Sequence, residues 1–478
     1  MKRDLEAALA RVDTKDWKRI ALEYGYETLE VAVPKDSVEI SMGTVPHIDN
    51  WRGEIERAFS NPIGGPRLEE IVKGKGKRPQ DMTVSVAVSD ITRPVPYRGE
   101  RGILGPILRR LEFQGIRREN IKIIVATGMH RASTREEKIQ MYGEEIVGQF
   151  TILDHDCESE ALLVSIGRTR RGTHVYVNKD FYCADLKIAT GLVESHFMTG
   201  ISGGRKAICP GLVDVKTIEK FHGPYYLEDP NATNLILDGN PCHEEALEIA
   251  KTVGVDFIVN VTLDKDMRLT RAFAGELVKA HMKAFEMIKG YAEIPLEGQF
   301  DIVLTHGGYV GRDHYQTAKA GVGAIPAVKE DGVIIIAANN HDIKPIGGSE
   351  YKTLSHLMKL QGPDGYLELL RNSHWRFTKD QWEPEVWGMP LRKVGEEGLI
   401  YCSSEIPEQD YVILPGTSGY NFLLAELEDR SNPEKTQAMV QNALIYSVDR
   451  LRKRNIEPSV CYIREGPYVI PVFRESTP

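Results

Sequence analysis

Side chains able to transfer protons or bind anions follow short apolar runs of strand-like composition in this sequence. Thr83-Val-Ser-Val-Ala-Val88 leads into Asp90 and Arg93, and Ile121-Lys-Ile-Ile-Val125 leads into His130. Imidazole accepts or donates a proton near neutral pH, and a guanidinium offers a planar fork to a carboxylate or phosphate. The pattern predicts a polar site where these runs end. A surface Asp–Arg pair and a helix-capping histidine are the alternative interpretations.

The densest group of such residues is the glycine-rich segment from Glu194 to Gly211. It reads Glu-Ser-His-Phe-Met-Thr-Gly-Ile-Ser-Gly-Gly-Arg-Lys-Ala-Ile-Cys-Pro-Gly, contains His196 and Lys206, and is followed by His222. Glycines let backbone amides approach an anion, so the segment suits a phosphate-bearing cofactor, with a plain surface turn as the alternative. Neither Gly-x-x-x-x-Gly-Lys-Ser/Thr nor a Gly-x-Gly-x-x-Gly after a strand occurs, which disfavours ATP and NAD.

A fourth polar segment follows the apolar run Asp301-Ile-Val-Leu304 and includes Tyr315, Gln316 and Lys319. Gln316 and Lys319 are three residues apart, so on a helix they would share a face and could hold one carboxylate. The alternative is a solvated start of a helix.

The elements that must position these residues alternate between apolar runs and amphipathic stretches. This alternation is typical of an α/β fold with largely parallel sheets flanked by helices, which bind ligands beyond the carboxyl ends of their strands. At 478 residues the chain is long enough for two domains. A polar connector near 292–298 predicts an N-terminal catalytic and cofactor-binding domain over 1–292 and a C-terminal α/β domain over 299–454. Residues 455–478 could belong to either domain.

Local patterns also predict individual elements. Ser133-Thr-Arg-Glu136 resembles a capping box at the start of a helix. Helices are expected at Gly105–Gln114, Glu244–Thr252 and Lys435–Lys453, and further strands at Leu186–Ala189, Phe257–Val261, Gly332–Ala337, Tyr411–Leu414, Val460–Ile463 and Tyr468–Val472.

Composition argues against nucleic acid or a membrane as the main partner. Lys and Arg number 60 against 69 Asp and Glu, for a net charge of −9, and no apolar run approaches the ~20 residues of a membrane span. Six cysteines without a Cys-x-x-Cys pair fit a reducing compartment. The sequence therefore predicts a cytoplasmic protein.

Taken in chain order, these residues resemble the lactate racemase family that uses a nickel-pincer nucleotide. The resemblance runs through nearly the whole chain, and the ordered set is specific although no single motif is. The set comprises Asn61-Pro-Ile-Gly64, Asp90-Ile-Thr-Arg93-Pro, Thr127-Gly-Met-His130-Arg131, His196, Ser202-Gly-Gly-Arg-Lys206, Cys209-Pro-Gly211, His222, Tyr315-Gln316 with Lys319, and Asp380-Gln381-Trp382.

The resemblance implies a covalent cofactor, the Ni(II)-pyridinium-3,5-bisthiocarboxylic acid mononucleotide (nickel-pincer nucleotide), attached at Lys206. His222 is then the protein ligand to nickel, a metal that imidazole suits. The proteins that synthesise this cofactor become expected partners. The residues implied to contact the cofactor are Asp90, Ile91, Thr92, Arg93 and Lys206.

The implied reaction inverts C2 of a small 2-hydroxy acid by reversible hydride transfer, in a cleft between the two domains. His130 and His196 are implied as the acid–base groups on opposite sides of the substrate. The residues implied to bind the substrate are Arg93, Gln316 and Lys319 at its carboxylate, and Tyr315 and Trp382 in the pocket wall.

Two other functions compete with this interpretation. A nicotinamide-dependent 2-hydroxy-acid dehydrogenase shares hydride chemistry but should carry a glycine fingerprint and an acidic ribose partner. A non-catalytic nucleotide or sugar-acid binding protein could keep the fold, but it would not need the lysine and the three histidines. Lactate, malate, longer 2-hydroxy acids and a sugar acid such as gluconate all fit the predicted carboxylate site.

Overall fold

The structure is a computed structural model that describes residues 2–45, 47–264 and 266–473. Residues 44–291 form one unit of the chain, and the described parts of the segments before and after it, 2–43 and 292–473, form a second. These are called the 44–291 unit and the two-segment unit.

The strands alternate with helices along most of the chain. In chain order they are β1 (Lys18–Tyr24), β2 (Glu27–Val33), β3 (Val38–Ile40), β4 (Val84–Val88), β5 (Ile121–Val125), β6 (Thr151–Asp154), β7 (Leu163–Arg168), β8 (His174–Asn178), β9 (Leu186–Leu192), β10 (Ser195–His196), β11 (Gly200–Ile201), β12 (Phe257–Leu263), β13 (Leu269–Gly275), β14 (Glu293–Leu296), β15 (Phe300–His306), β16 (Val328–Ala337), β17 (Leu399–Cys402), β18 (Thr417–Ser418), β19 (Val460–Ile463) and β20 (Ile470–Phe473).

The α-helices vary from single turns to long elements. They are α1 (Lys2–Arg11), α2 (Trp51–Ser60), α3 (Leu68–Gly74), α4 (Leu104–Phe113), α5 (Arg135–Tyr142), α6 (Glu144–Gln149), α7 (Lys179–Tyr182), α8 (Val215–Phe221), α9 (Pro224–Leu227), α10 (Pro241–Val253), α11 (Leu277–Ala292), α12 (His314–Ala324), α13 (Ser349–Arg371), α14 (Trp382–Gly398) and α15 (Asn432–Arg452).

The 44–291 unit is built on a six-stranded sheet in the order β13-β12-β9-β4-β5-β6. All neighbours are parallel except β12 and β13. Apolar side chains of the central strands pack with those of helices α2, α3 and α4 in one core. Because β4 is buried at every position, its sequence is a nearly continuous apolar run, as expected for the interior of a parallel sheet.

The two-segment unit is built on a second six-stranded sheet, in the order β18-β17-β16-β15-β19-β3, and every pair in it is parallel. Helix α15 packs with the β1–β2 hairpin and with the inner strands in one core. The expected α/β class, with two largely parallel sheets flanked by helices, is confirmed.

The N-terminal segment belongs to a different unit from the one expected for residues 1–292. Strand β3 extends the second sheet by pairing in parallel with β19, Val38 opposite Cys461. Residues 455–473 also lie in this unit, through β19 beside β15 and through β20 beside β14. Strand pairing distant in sequence sets this grouping, so the linear pattern did not reveal it.

Most predicted elements are confirmed within a few residues, but the strand at Tyr411–Leu414 is wrong. These residues lie in a 3-10 helix, Glu408–Ile413, followed by Leu414. The Tyr411 hydroxyl accepts a hydrogen bond from the Ser403 amide and donates one to the Ser403 carbonyl, while Val412 is 67% exposed. The segment therefore buries Tyr411 and Leu414, which are three residues apart, rather than the alternating side chains of a strand. The predicted capping box lies one residue later, with Thr134 and Glu137 as its members.

Within the described ranges, no helix combines the length and hydropathy that a membrane span requires.

Candidate functional site

The polar loops predicted from the sequence follow three neighbouring strands of the 44–291 unit. Strands β9, β4 and β5 lie side by side and parallel, so their carboxyl ends share one edge of the sheet. The loop after β4 holds Asp90 and Arg93, the loop after β5 holds His130, and the chain after β9 reaches His196. The sheet topology therefore brings these loops together, as ligand sites of parallel sheets require.

Asp90 and His130 are hydrogen-bonded to each other. Nδ1 of His130 lies 2.6 Å from Oδ2 of Asp90, whose Oδ1 accepts from the amide and hydroxyl of Thr92 at 3.0 and 2.5 Å. Burial opposes ionisation of this carboxyl, but His130, then Thr92 and Arg93, outweigh it and hold the pKa of Asp90 at about 2. The carboxylate can only accept, so His130 donates from Nδ1 and its neutral form keeps a lone pair on Nε2.

Arg93 faces Glu194 from the adjacent loop, with 3.8 Å between Nη1 and Oε1. Both side chains are largely buried. At this distance the pair lacks a short hydrogen bond, so the guanidinium fork can still bind a carboxylate or phosphate.

His196 is the last residue of β10 and is buried in the tight hairpin that β10 forms with β11. Its Nδ1 accepts hydrogen bonds from the amides of Met198 and Thr199, at 3.2 and 3.3 Å. The ring also stacks on Phe197, with centroids 4.8 Å apart. The hairpin therefore fixes both the orientation of the ring and the role of Nδ1 as an acceptor.

Lys206 lies in a 3-10 turn, Gly204–Ala207, that packs beside β9. Packing also requires the two glycines before it, Gly203 and Gly204. A Cβ on Gly203, at φ +71°, would lie 2.8 Å from the Val193 side chain, and one on Gly204, at φ +51°, would lie 2.6 Å from the ring of His281. The amide of Gly204 donates to Oδ1 of Asn260 at 3.0 Å, so this one amide of the loop is already used within the protein.

The loop that carries Lys206 also contains a buried cation, Arg205, which is 0% exposed. Its guanidinium donates to the carbonyl oxygens of Thr199 at 2.6 Å and Ile201 at 2.9 Å. Burial lowers the pKa of Arg205 to about 9. This side chain links the Lys206 turn to the hairpin of His196.

His222 caps the carboxyl end of α8 and its Nδ1 lies 3.0 Å from the Ile218 carbonyl. A carbonyl only accepts, so Nδ1 carries the proton and Nε2 holds the lone pair. Burial lowers the pKa of His222 to about 3. The hydrogen bond to the Ile218 carbonyl opposes this shift, and the charges of Lys206 and His130 add smaller decreases. These electrostatic interactions place the three predicted residues in one neighbourhood.

The remaining predicted residues lie in the two-segment unit, at the start of α12 and of α14. Nζ of Lys319 donates to Oε1 of Gln316 at 2.7 Å, so the two share a helix face as predicted. The Asp313 side chain caps the helix by accepting from the Gln316 amide at 2.7 Å. This places an ammonium and an amide side by side near the first turn of α12.

Tyr315 and Trp382 are neighbours in that unit. Burial, together with the carboxylates of Asp380 and Glu383, raises the pKa of Tyr315 well above its usual value, while a hydrogen bond with Trp382 acts in the opposite direction. Trp382 also stacks on Phe377, with centroids 6.3 Å apart. The two aromatic side chains therefore lie together, and the Tyr315 hydroxyl keeps its proton at neutral pH.

Comparison with known proteins identifies the family of this chain. A sequence profile described as the lactate racemase N-terminal domain matches residues 24–234. A lactate racemase of Lactiplantibacillus plantarum is 34% identical over 339 residues, which cover 70% of this chain and 77% of that protein. The chain belongs to the lactate racemase family. A lactate racemase of Thermoanaerobacterium thermosaccharolyticum is 32% identical over 333 residues, covering 70% of this chain and 75% of the relative.

Solved structures agree with membership of the lactate racemase family. The lactate racemase apoprotein from Thermoanaerobacterium thermosaccharolyticum superposes with a TM-score of 0.77 at 27% identity, covering 96% of this chain and all of that one. A protein from Thermotoga maritima, at 18% identity and a TM-score of 0.60, covers 87% of this chain and shares the fold. Family membership makes the protein an isomerase of the racemase type.

Sequence reasoning missed several residues that support the family's motifs. Asn260 interrupts the apolar strand β12, a polar exception that could have drawn notice, and it bonds the Gly204 amide and the Gly191 carbonyl. Arg205 adjoins Lys206 within the motif itself. His281, on α11, donates to the Ser202 carbonyl at 2.8 Å, but no local pattern distinguishes it.

Proposed function

We propose that this protein inverts the C2 centre of a small 2-hydroxy acid, as a racemase or epimerase. The observation that carries the proposal is the Asp90–His130 pair beside the loop of His196, at adjoining strand ends of a chain in the lactate racemase family. A substrate whose hydroxyl oxygen changes side during inversion needs a proton-transfer group on each side.

His130 takes the hydroxyl proton at Nε2 in this mechanism. Asp90 holds the ring through Nδ1 and stabilises the imidazolium that forms, so the ring stays aligned during transfer. His196 is the proton-transfer group for the opposite side, held by its hairpin. Both side chains are imidazoles, which exchange protons readily near neutral pH.

The cofactor in this proposal is the nickel-pincer nucleotide, which Lys206 would hold covalently and whose nickel Nε2 of His222 would bind. The Nδ1–H of His222 is held by a backbone carbonyl, the usual arrangement of a metal-binding imidazole. In the described part of the chain, no three His, Cys, Asp or Glu side chains are grouped to hold a metal, so nickel would take further ligands from the nucleotide. When bound, this group supplies reversible hydride acceptance from C2.

The substrate is lactate or a related 2-hydroxy acid. Its carboxylate would bind Arg93, Gln316 and Lys319, and Tyr315 and Trp382 would enclose it. Asp90, Ile91, Thr92 and Arg93 are the loop residues that would contact the cofactor, and Asp90 also orients His130. The proteins that synthesise the cofactor are the macromolecular partners, and we propose that the enzyme acts in the cytoplasm.

The test uses protein produced together with the cofactor-synthesis proteins. Intact mass and metal analysis measure the adduct and nickel, and chiral chromatography follows pure enantiomers of lactate, malate, longer 2-hydroxy acids and gluconate epimers. We expect inversion of at least one acid by adduct-bearing protein alone. Nickel-loaded, adduct-bearing protein that inverts none of them, or that oxidises one only with added NAD, would contradict the proposal.

A further inference from the structure

We propose that His130 and His196 enter the reaction in opposite tautomers, with His130 as a proton acceptor at Nε2 and His196 as a hydrogen-bond donor at Nε2. The inference rests on the proposed function for the catalytic roles of the two histidines. It adds that the two rings carry their proton on different nitrogens before the reaction begins. It depends on what each ring's Nδ1 contacts.

The partner of His130 is a carboxylate oxygen. Oδ2 of Asp90 lies 2.6 Å from Nδ1, and Oδ1 is already satisfied by Thr92. Because this carboxylate accepts hydrogen bonds, the Nδ1 of His130 must donate. A neutral imidazole has one ring proton, so its Nε2 is then a lone-pair acceptor.

The partners of His196 are two backbone N–H groups. The amides of Met198 and Thr199 point at Nδ1 from 3.2 and 3.3 Å, and an amide N–H can only donate. Nδ1 must therefore be unprotonated. The single proton of the neutral ring lies on Nε2. A second proton at Nδ1 would face the two amide hydrogens and be repelled by them.

Arg205 anchors the hairpin that imposes this tautomer. Its buried guanidinium holds the Thr199 and Ile201 carbonyls at 2.6 and 2.9 Å, and the Thr199 hydroxyl donates to the Ile201 carbonyl at 3.0 Å. His281 fixes the next carbonyl, that of Ser202, at 2.8 Å. Arg205 is thus a positioning residue, acting on the substrate through His196.

The resting enzyme consequently differs on its two sides. A substrate hydroxyl that faces His130 meets a base, whereas an oxygen that faces His196 meets an N–H group. Before His196 can accept a proton at Nε2, its existing proton must leave, or the hairpin must release Nδ1.

The experiment records long-range ¹H–¹⁵N spectra of the full-length apoprotein labelled with [¹⁵N]histidine, in which protonated and unprotonated ring nitrogens resonate in separate regions. His130→Gln and His196→Gln assign the two rings, and His174→Gln, at an exposed histidine, is the matched control. At neutral pH we expect the proton on Nδ1 in His130 and on Nε2 in His196. A His196 ring protonated at Nδ1, alone or as imidazolium, overturns the proposal.

Arg205→Lys and Arg205→Met test the anchor. We expect Arg205→Met to mix the tautomers of His196, to leave His130 unchanged, and to lower kcat on the order of 10²-fold with little change in KM, since small misplacement of a catalytic group has effects of that size. Arg205→Lys should keep part of the tautomer preference of His196 and part of kcat. A single Nε2–H tautomer in a folded Arg205→Met protein would remove Arg205 from the inference.

The apoprotein spectrum contains no substrate or cofactor, so it separates this inference from the proposed function. The expected tautomers in a protein that inverts no 2-hydroxy acid would refute the proposed function alone. Inversion by a protein with matching tautomers on both rings would refute this inference alone. The wild-type spectrum decides the matter even if the Arg205 variants do not fold.

Discussion

Oδ2 of Asp90 lies 2.6 Å from Nδ1 of His130, joining two loops whose residues are 40 positions apart in the chain. The pair forms because β4 and β5 are adjacent and parallel, so the loops that follow them start at the same sheet edge. A carboxylate in this position selects the tautomer of the histidine and stabilises its protonated form.

Replacing Asp90 with Asn should therefore lower kcat by ~10²- to 10⁴-fold, because the amide can donate to Nδ1 and shift the ring proton to Nε2. KM should change much less. Steady-state kinetics with both enantiomers measure the effect, circular dichroism checks the fold, and Asp238→Asn at an exposed aspartate is the control. Parental kcat in Asp90→Asn would mean that the pair is structural.

Replacing either proposed acid–base histidine, His130 or His196, with Gln should block net inversion from both enantiomers, with losses of ~10²- to 10⁴-fold. One half-reaction to the keto acid can survive in His196→Gln, from the enantiomer whose hydroxyl faces His130. Chiral chromatography with a keto-acid trap distinguishes these results. A folded His130→Gln or His196→Gln variant that inverts at the parental rate would make that histidine non-catalytic.

Removing the proposed tether should abolish the covalent adduct. Lys206→Ala made together with the cofactor-synthesis proteins should show the mass of the bare chain and no inversion, while Lys216→Ala, at an exposed lysine ten residues later in the chain, should keep the adduct. Intact mass spectrometry decides between these outcomes. An adduct of unchanged mass on Lys206→Ala would place the attachment elsewhere.

Removing the proposed nickel ligand should lower metal content and activity together. His222→Ala should retain the adduct but lose nickel, with losses on the order of 10- to 100-fold in metal affinity. Metal analysis per adduct makes the comparison, and His174→Ala is the control at an exposed histidine. Unchanged nickel per adduct would exclude His222 from the coordination sphere.

Acid stability of the two-segment unit should depend on Asp449. The hydrogen bonds from Arg11, then Lys453, lower the pKa of Asp449 from 3.8 to about 2 against the effect of burial. Its contribution is present above pH 3.8 and is lost as the pH falls through about 2, because the unfolded state takes up the proton first.

Asp449→Asn should accordingly lower the free energy of unfolding near pH 6 by on the order of 1 kcal/mol, a value kept small because Arg11 is half exposed and solvent screens the pair. The deficit should shrink between pH 4 and 2. Denaturant melts at several pH values measure it, with the exposed Asp36→Asn as control. A deficit that is constant down to pH 2 would argue against an ionic contribution.

Local sequence was sufficient for most of the site's elements. The runs that became β4 and β5 are apolar and short, and histidine and aspartate follow them, so the rule that ligands bind at strand ends located the loops. The i, i+3 spacing of Gln316 and Lys319 likewise predicted their contact at 2.7 Å. Tyr411–Leu414 shows the limit, since apolar composition alone does not distinguish a strand from a 3-10 turn that buries side chains three residues apart.

By itself, then, the sequence determined the α/β class, the strand and helix alternation, the family and the set of candidate residues, because each depends on residue types and short spacings. Only the tertiary structure decided which residues meet. In the folded chain Asp90 is hydrogen-bonded to His130, and Arg205 holds carbonyls of the His196 hairpin. Gly204 packs against the ring of His281, and β3 pairs with β19. These are contacts between segments far apart in the chain, set by strand order and packing, and strand order is not written in any local pattern.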